Sequence, residues 1–144
     1  MGHQMDVMRR ILQQVRTLDA TTMERMVTLG YYMHNLYSAM EDLFEEIASV
    51  FENRIDSSGA YHRELVRRMA IEVPTIRPRV LSEPSATLID ELRAFRHVFR
   101  HSYGYSLDSE RVSRLQQKLL ASWDTVEQDL LQFENFLREQ LQAQ

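Results

Sequence analysis

The sequence predicts an all-α protein, an up-and-down bundle of four to five helices, and two observations carry that expectation. Only four glycines and three prolines interrupt 144 residues, while methionine, leucine, glutamate, glutamine and arginine, which lose little side-chain freedom in a helix, are plentiful. Two long stretches also repeat apolar residues at gaps of three and four, the period of a helix face rather than the alternation of a strand. The length suits one domain with a real core, and residues 1–144 are read as that single domain.

The first helix covers about residues 5–18, where Val7, Ile11, Val15 and Leu18 lie along one face. Asp19 with Thr21 or Thr22 offers N-cap chemistry for a second helix, with Glu24 in its first turn; a kinked continuation of the first helix is the alternative. Met26, Gly30, Met33, Tyr37, Met40, Phe44, Ile47 and Phe51 then form an unbroken seam. That second helix is expected to run for about 34 residues and roughly 50 Å, until Asp56-Ser57-Ser58-Gly59 ends it. Tyr31, Tyr32 and Tyr37 belong to its core or to a dimer interface. A shorter helix follows from Ala60 to near Glu72, and Pro74, Pro78 and Pro84 make residues 73–84 a connector. Ser85 caps a fourth helix that reaches His101 or Tyr103, where Gly104 stops it. Asp108 caps the last, whose series Val112, Leu115, Leu119, Trp123, Val126, Leu130, Phe133, Leu137 and Leu141 nearly reaches the terminus.

A formal net charge of −4 argues against a polyanion binder held by overall field. The distribution is uneven, however. Lys118 is the single lysine among 17 basic residues, and arginine's planar fork suits phosphate and carboxylate alike. Glu41, Asp42, Glu45 and Glu46 gather on the second helix, whereas Arg63, Arg67, Arg68, Arg77 and Arg79 face only Glu64 and Glu72 in the stretch from His62 to Arg79. These arginines either pair with the acidic helix or meet an anion. The absence of cysteine excludes disulfides and thiolate metal sites. His3, His34 and His62 lack metal-ligand spacing and read as surface or interface residues. No Gly-rich phosphate loop occurs, so neither metal nor cofactor is expected. No apolar run approaches the roughly 18 residues of a membrane span, and Met1 to Val15 mixes charges unlike a secretory signal. A soluble, cytoplasmic protein with no membrane partner is the expectation.

The densest chemistry is the string Arg96-His97-Val98-Phe99-Arg100-His101-Ser102-Tyr103 at the end of the fourth helix. Leu88, Leu92, Phe95 and Phe99 mark that helix's core arc. At about 100° per residue, Arg100 lies about 40° from Arg96, His97 about 100° and His101 about 140°. Arg96 and His101 therefore should not share a face. Either the helix ends near His101 and turns that side chain inward, or a second protomer completes the site across a two-fold axis. The plainer alternative is that these cations complement the helix dipole, with Arg96 paired to a glutamate of the second helix and Tyr103 packed as a half-buried ring.

This string resembles the motif of HEPN-domain proteins and, within them, of HepT-like toxins. That motif is an arginine, four to six residues and a histidine, commonly with a polar residue directly after the arginine. Arg96, His97 and His101 match it, Ser102-Tyr103 supplies the HepT extension of one residue and a tyrosine, and Phe95 and Gly104-Tyr105 are similar to its surroundings. The resemblance implies a metal-independent endoribonuclease toxin, active as a symmetric homodimer, with Arg96 and His101 catalytic and His97 and Arg100 assisting or binding substrate. It implies RNA as substrate, since DNA lacks the attacking 2′-hydroxyl. It also implies neutralisation by an MNT-type nucleotidyltransferase antitoxin that transfers AMP to Tyr103. Which of His97 and His101 is base or acid stays open. The competing class is a noncatalytic helical interaction module or substrate-binding companion of a nucleotidyltransferase.

Overall fold

A computed structural model describes residues 1–52, 60–102 and 107–143. Five helices follow in order: α1 (Gly2–Thr17), α2 (Met23–Phe51), α3 (Tyr61–Met69), α4 (Glu83–Ser102) and α5 (Ser109–Gln142). Among the described residues there is no strand, only an isolated antiparallel bridge between Val73 and Arg77. The all-α expectation holds. α2 is central, packing on α1, α3, α4 and α5, while α4 also contacts α3 and α5.

The break between α1 and α2 is a true cap rather than a kink. Thr22 Oγ1 accepts the Arg25 N–H at 3.2 Å, and Asp19 accepts both the N–H and the hydroxyl of Thr21. α1 buries Met5, Met8, Leu12 and Val15, so its inner face is turned from the expected Val7, Ile11, Val15 and Leu18 stripe. Unbranched methionines fill the groove against α2 and leave Val7 and Ile11 on the shoulder.

α2 spans 29 residues, shorter than expected, because Glu52 leaves the helix in an extended conformation (φ −134°, ψ 154°). Its carboxylate is taken by Arg77, whose side chain is wholly buried, and by Arg68 at 3.6 Å. The stop signal Asp56 to Gly59 lies outside the described residues. The same arginine explains why α3 ends at Met69 instead of Glu72. Arg77 donates to the carbonyls of Arg68, Ile71 and Pro78, and the Met69 carbonyl accepts the N–H groups of Val80 and Leu81. Arg77 thus belongs to the fold rather than to an anion site.

α4 begins at Glu83, two residues ahead of the expected cap. The Ser82 carbonyl accepts the Ala86 N–H, while its own N–H and hydroxyl both donate to Asp129 of α5. Ser85 is buried in the first turn, and Pro84 sits where a helix N–H has no partner anyway. Asp108 caps α5 as expected, accepting the Glu110 N–H at 3.0 Å. Tyr37 is fully buried, but Tyr31 is exposed and Tyr32 only half-buried, so the three tyrosines do not share one role.

Gly30 sets the approach of α4 to α2. A Cβ there would lie 2.8 Å from Phe99 Cε2 and 3.4 Å from Phe95 Cζ, so the missing side chain is what lets both rings seat against α2. This contact holds the second half of α4, with its cationic string, close to α2. Among the described residues no helix is long and apolar enough to cross a membrane.

Candidate active-site cleft

A cleft of about 420 Å³ opens between α3 and α4, lined by Ala60, His62, Arg63, Arg93, Arg96, His97, Arg100 and His101. Arg96, His97, Arg100 and His101, the arginines and histidines of the motif string, therefore border one space within one chain. The separation expected from helical angles is not what the side chains deliver. Side chains from different rows of α4 border the one cleft, the arginines by their length.

Arg96 forms its floor. The residue is half-buried, its guanidinium lies 5.7 Å from the centre of the Tyr37 ring, and its Nε has no hydrogen-bond partner. A cation over an aromatic face is held without being neutralised. The plainer alternative, a glutamate of α2 paired with it, is not what is found; among the described residues no carboxylate forms an ion pair with Arg96. His97 and His101, one turn apart and both exposed, form the rim with ring centroids 4.6 Å apart. Arg100 is exposed beside them, and Arg93 is tied back to Asp90 at 2.7 Å.

Three of the four acids gathered on α2, Glu41, Glu45 and Glu46, are met by neutral donors and a histidine instead of arginines. Tyr61 donates to Glu45 at 3.0 Å and Gln4 to Glu46 at 2.7 Å. Glu41, only 8% exposed, accepts the Tyr37 hydroxyl at 2.8 Å, and His62 Nδ1 lies 2.7 Å from the same oxygen. Burial first, then the bond to Glu41, pushes the Tyr37 phenol well above its usual range. Tyr61 is pushed up to about 12 by burial and by Glu45. Of the five arginines in the stretch from His62 to Arg79, Arg67, Arg68 and Arg77 pair with Glu64 or Glu52; of the other two, Arg63 lines the cleft and Arg79 does not.

Two histidines read from the sequence as surface or interface groups belong here. His62 is the α3 wall of the cleft. His34 of α2 packs edge-on to Phe99 at 6.0 Å with its Nδ1 buried and unpartnered. Burial, followed by repulsion from Arg96 and Arg100, holds its pKa below the usual imidazole value. A faint signal for the first was available. Glu41 stands four residues after Tyr37 on the apolar face of α2, where a carboxylate needs a partner.

Arginines without carboxylates bind phosphate, and imidazoles at the same space can accept and donate protons. Among the described residues no group of three or more metal-ligating side chains occurs. Tyr103 lies outside the described residues.

The family model for HepT-like proteins matches residues 28–137, which include α3, α4 and most of α2 and α5. Searches of curated proteins and of solved structures return no match.

Proposed function

The chain belongs to the HepT-like family, and from that premise we propose that it is a metal-independent endoribonuclease, the toxin of a toxin–antitoxin pair. The observation that carries the reading is the cleft in which an unneutralised Arg96 meets His97 and His101. In-line attack of a ribose 2′-hydroxyl on the adjacent phosphorus needs a base, an acid for the leaving 5′-oxygen and positive charge on the phosphorane oxygens. Arg96 supplies the charge. His101 moves a proton, while His97 and Arg100 orient the RNA.

The active species is a symmetric homodimer, in which two such clefts lie about a two-fold axis. Its partner is an MNT-type nucleotidyltransferase that silences it by transferring AMP to Tyr103, two residues beyond His101 in the sequence. A phosphate there would compete for Arg96 and fill the groove. Both statements rest on the family.

The test is RNA cleavage by purified protein in the presence of a chelator. Arg96→Ala and His101→Ala should each abolish cutting while leaving the oligomer intact by size-exclusion chromatography. Undiminished cutting by both variants would remove the catalytic assignment. A mass increase of one or more AMP groups on the Tyr103 peptide, seen only with the partner enzyme, checks the regulatory step.

A further inference from the structure

We propose that His62 is the general base of this cleft, oriented by Glu41 and Tyr37, an assignment that rests on the ribonuclease reading above. His62 comes from α3 and is separated from the motif by more than a helix, yet it lines the same space as Arg96 and His101.

The hydrogen bonds fix its chemistry. Glu41 has only acceptor oxygens when ionised, so the 2.7 Å contact requires a proton on His62 Nδ1. That tautomer leaves the lone pair on Nε2, ready to accept. Glu41 cannot easily swing away, being buried on α2 and held by the Tyr37 hydroxyl at 2.8 Å. Once Nε2 takes a proton, the ring becomes an imidazolium against a buried carboxylate, an arrangement that favours base catalysis. His97 and His101 have no such carboxylate among the described residues. The three histidines are thus unequal, and only one is built to hold a proton taken from substrate.

The Tyr37 ring ties the two halves of the site together. Its hydroxyl orients Glu41 and hence His62, while its face carries Arg96. Base and phosphate-binding cation share one rigid support on α2, as pre-organised catalysis requires.

His62 Nε2 takes the 2′-hydroxyl proton as the 2′-oxygen bonds to phosphorus. The bond from phosphorus to the 5′-oxygen breaks, and His101, as imidazolium, protonates that oxygen. The products are a 2′,3′-cyclic phosphate and a 5′-hydroxyl. Exchange with water restores both rings.

Single-turnover cleavage of two oligoribonucleotides tests this, one normal and one with sulfur at the bridging 5′ position, whose thiolate leaves without a proton. His62→Ala should lower the rate constant on the normal substrate about 10²–10⁴-fold with little change in KM, and should stay comparably slow on the sulfur substrate. The acid's own alanine variant, His101→Ala, should recover on sulfur. Glu41→Gln should slow cleavage about ten-fold or more, and ring ¹⁵N shifts should show His62 losing its fixed Nδ1–H tautomer. Wild-type rates in His62→Ala, or its recovery on the sulfur substrate, would overturn the base assignment and leave the ribonuclease reading standing. Failure of the wild-type protein to cut RNA would overturn both. His62 is 47% exposed at its side chain, so its removal should not disturb folding, and circular dichroism checks this.

Discussion

Arg77→Met should destabilise the protein by about 3–5 kcal/mol, the usual cost of removing one member of a buried ion pair. The Arg77 side chain is 0% exposed and that of Glu52 3%. Arg77 Nε donates to Glu52 at 2.9 Å, and its terminal nitrogens donate to the carbonyls of Ile71, Pro78 and Arg68 at 3.0–3.1 Å. Methionine matches the stem but supplies no donor. Glu52 would be left with Arg68 alone, at 3.6 Å. Each orphaned carbonyl adds about 1–3 kcal/mol if it stays dry, but the connector lies near the surface and can admit water, which argues for the lower total. At about 2–4 °C per kcal/mol, the midpoint should fall by about 6–20 °C. Urea unfolding followed by circular dichroism and Trp123 fluorescence gives the loss directly, as a lower midpoint at unchanged slope. A loss below about 1 kcal/mol would refute the burial argument. Changing both partners, Arg77→Met with Glu52→Leu, should restore much of the stability, since an apolar pair removes the stranded charge.

His34 should titrate below the usual imidazole value of 6.5, because burial and then Arg96 and Arg100 disfavour its cation; its stabilising contribution is present above pH 6.5 and is lost as pH falls through the depressed value. Phosphate seated on those arginines should raise the His34 pKa in an NMR titration, and an unmoved curve at saturating phosphate would place the anion elsewhere. Tyr61 should ionise near pH 12 and Tyr37 still later by tyrosinate absorbance, so their contribution to stability is complete below pH 10 and drains away as pH rises through the folded values; early ionisation of all six tyrosines would contradict the Glu41 and Glu45 bonds. Leu92→Ala, at a fully buried site on α4, should cost about 2–5 kcal/mol in denaturant unfolding. A cost under about 1 kcal/mol would mean α4 is not packed as described.

The helices were legible because the apolar period is local information that any 3.6-residue repeat exposes. Their limits were not, because partners distant in sequence set them. Glu52 ends α2 when Arg77 claims its carboxylate, and Ser82 opens α4 ahead of the better-looking Ser85 because Asp129 of α5 holds it. The candidate site divides the same way. A contiguous string announced Arg96, His97, Arg100 and His101, but helical angles could not say that one cleft collects them. His62 and His34 carried no local mark, since their significance comes from Glu41, Phe99 and the arginines they meet after folding. Tyr103 lies outside the described residues.

The chain's negative net charge and its cationic cleft have one explanation. Were the acids of α2 paired with the arginines of α4, the charges would cancel inside the cleft. Instead Tyr37, Tyr61, Gln4 and His62 satisfy Glu41, Glu45 and Glu46, so the acids need no arginine. Arg96 is steadied by an aromatic face, which positions a guanidinium while leaving its charge to act. Elsewhere Arg67, Arg68 and Arg77 are spent in ion pairs that shape α3 and the connector. Position in sequence does not separate binding arginines from structural ones. The type of neighbour does: Glu52 takes the arginines that shape α3 and the connector, whereas Arg96 rests on a tyrosine ring, its charge left for the anion that the proposed function calls for.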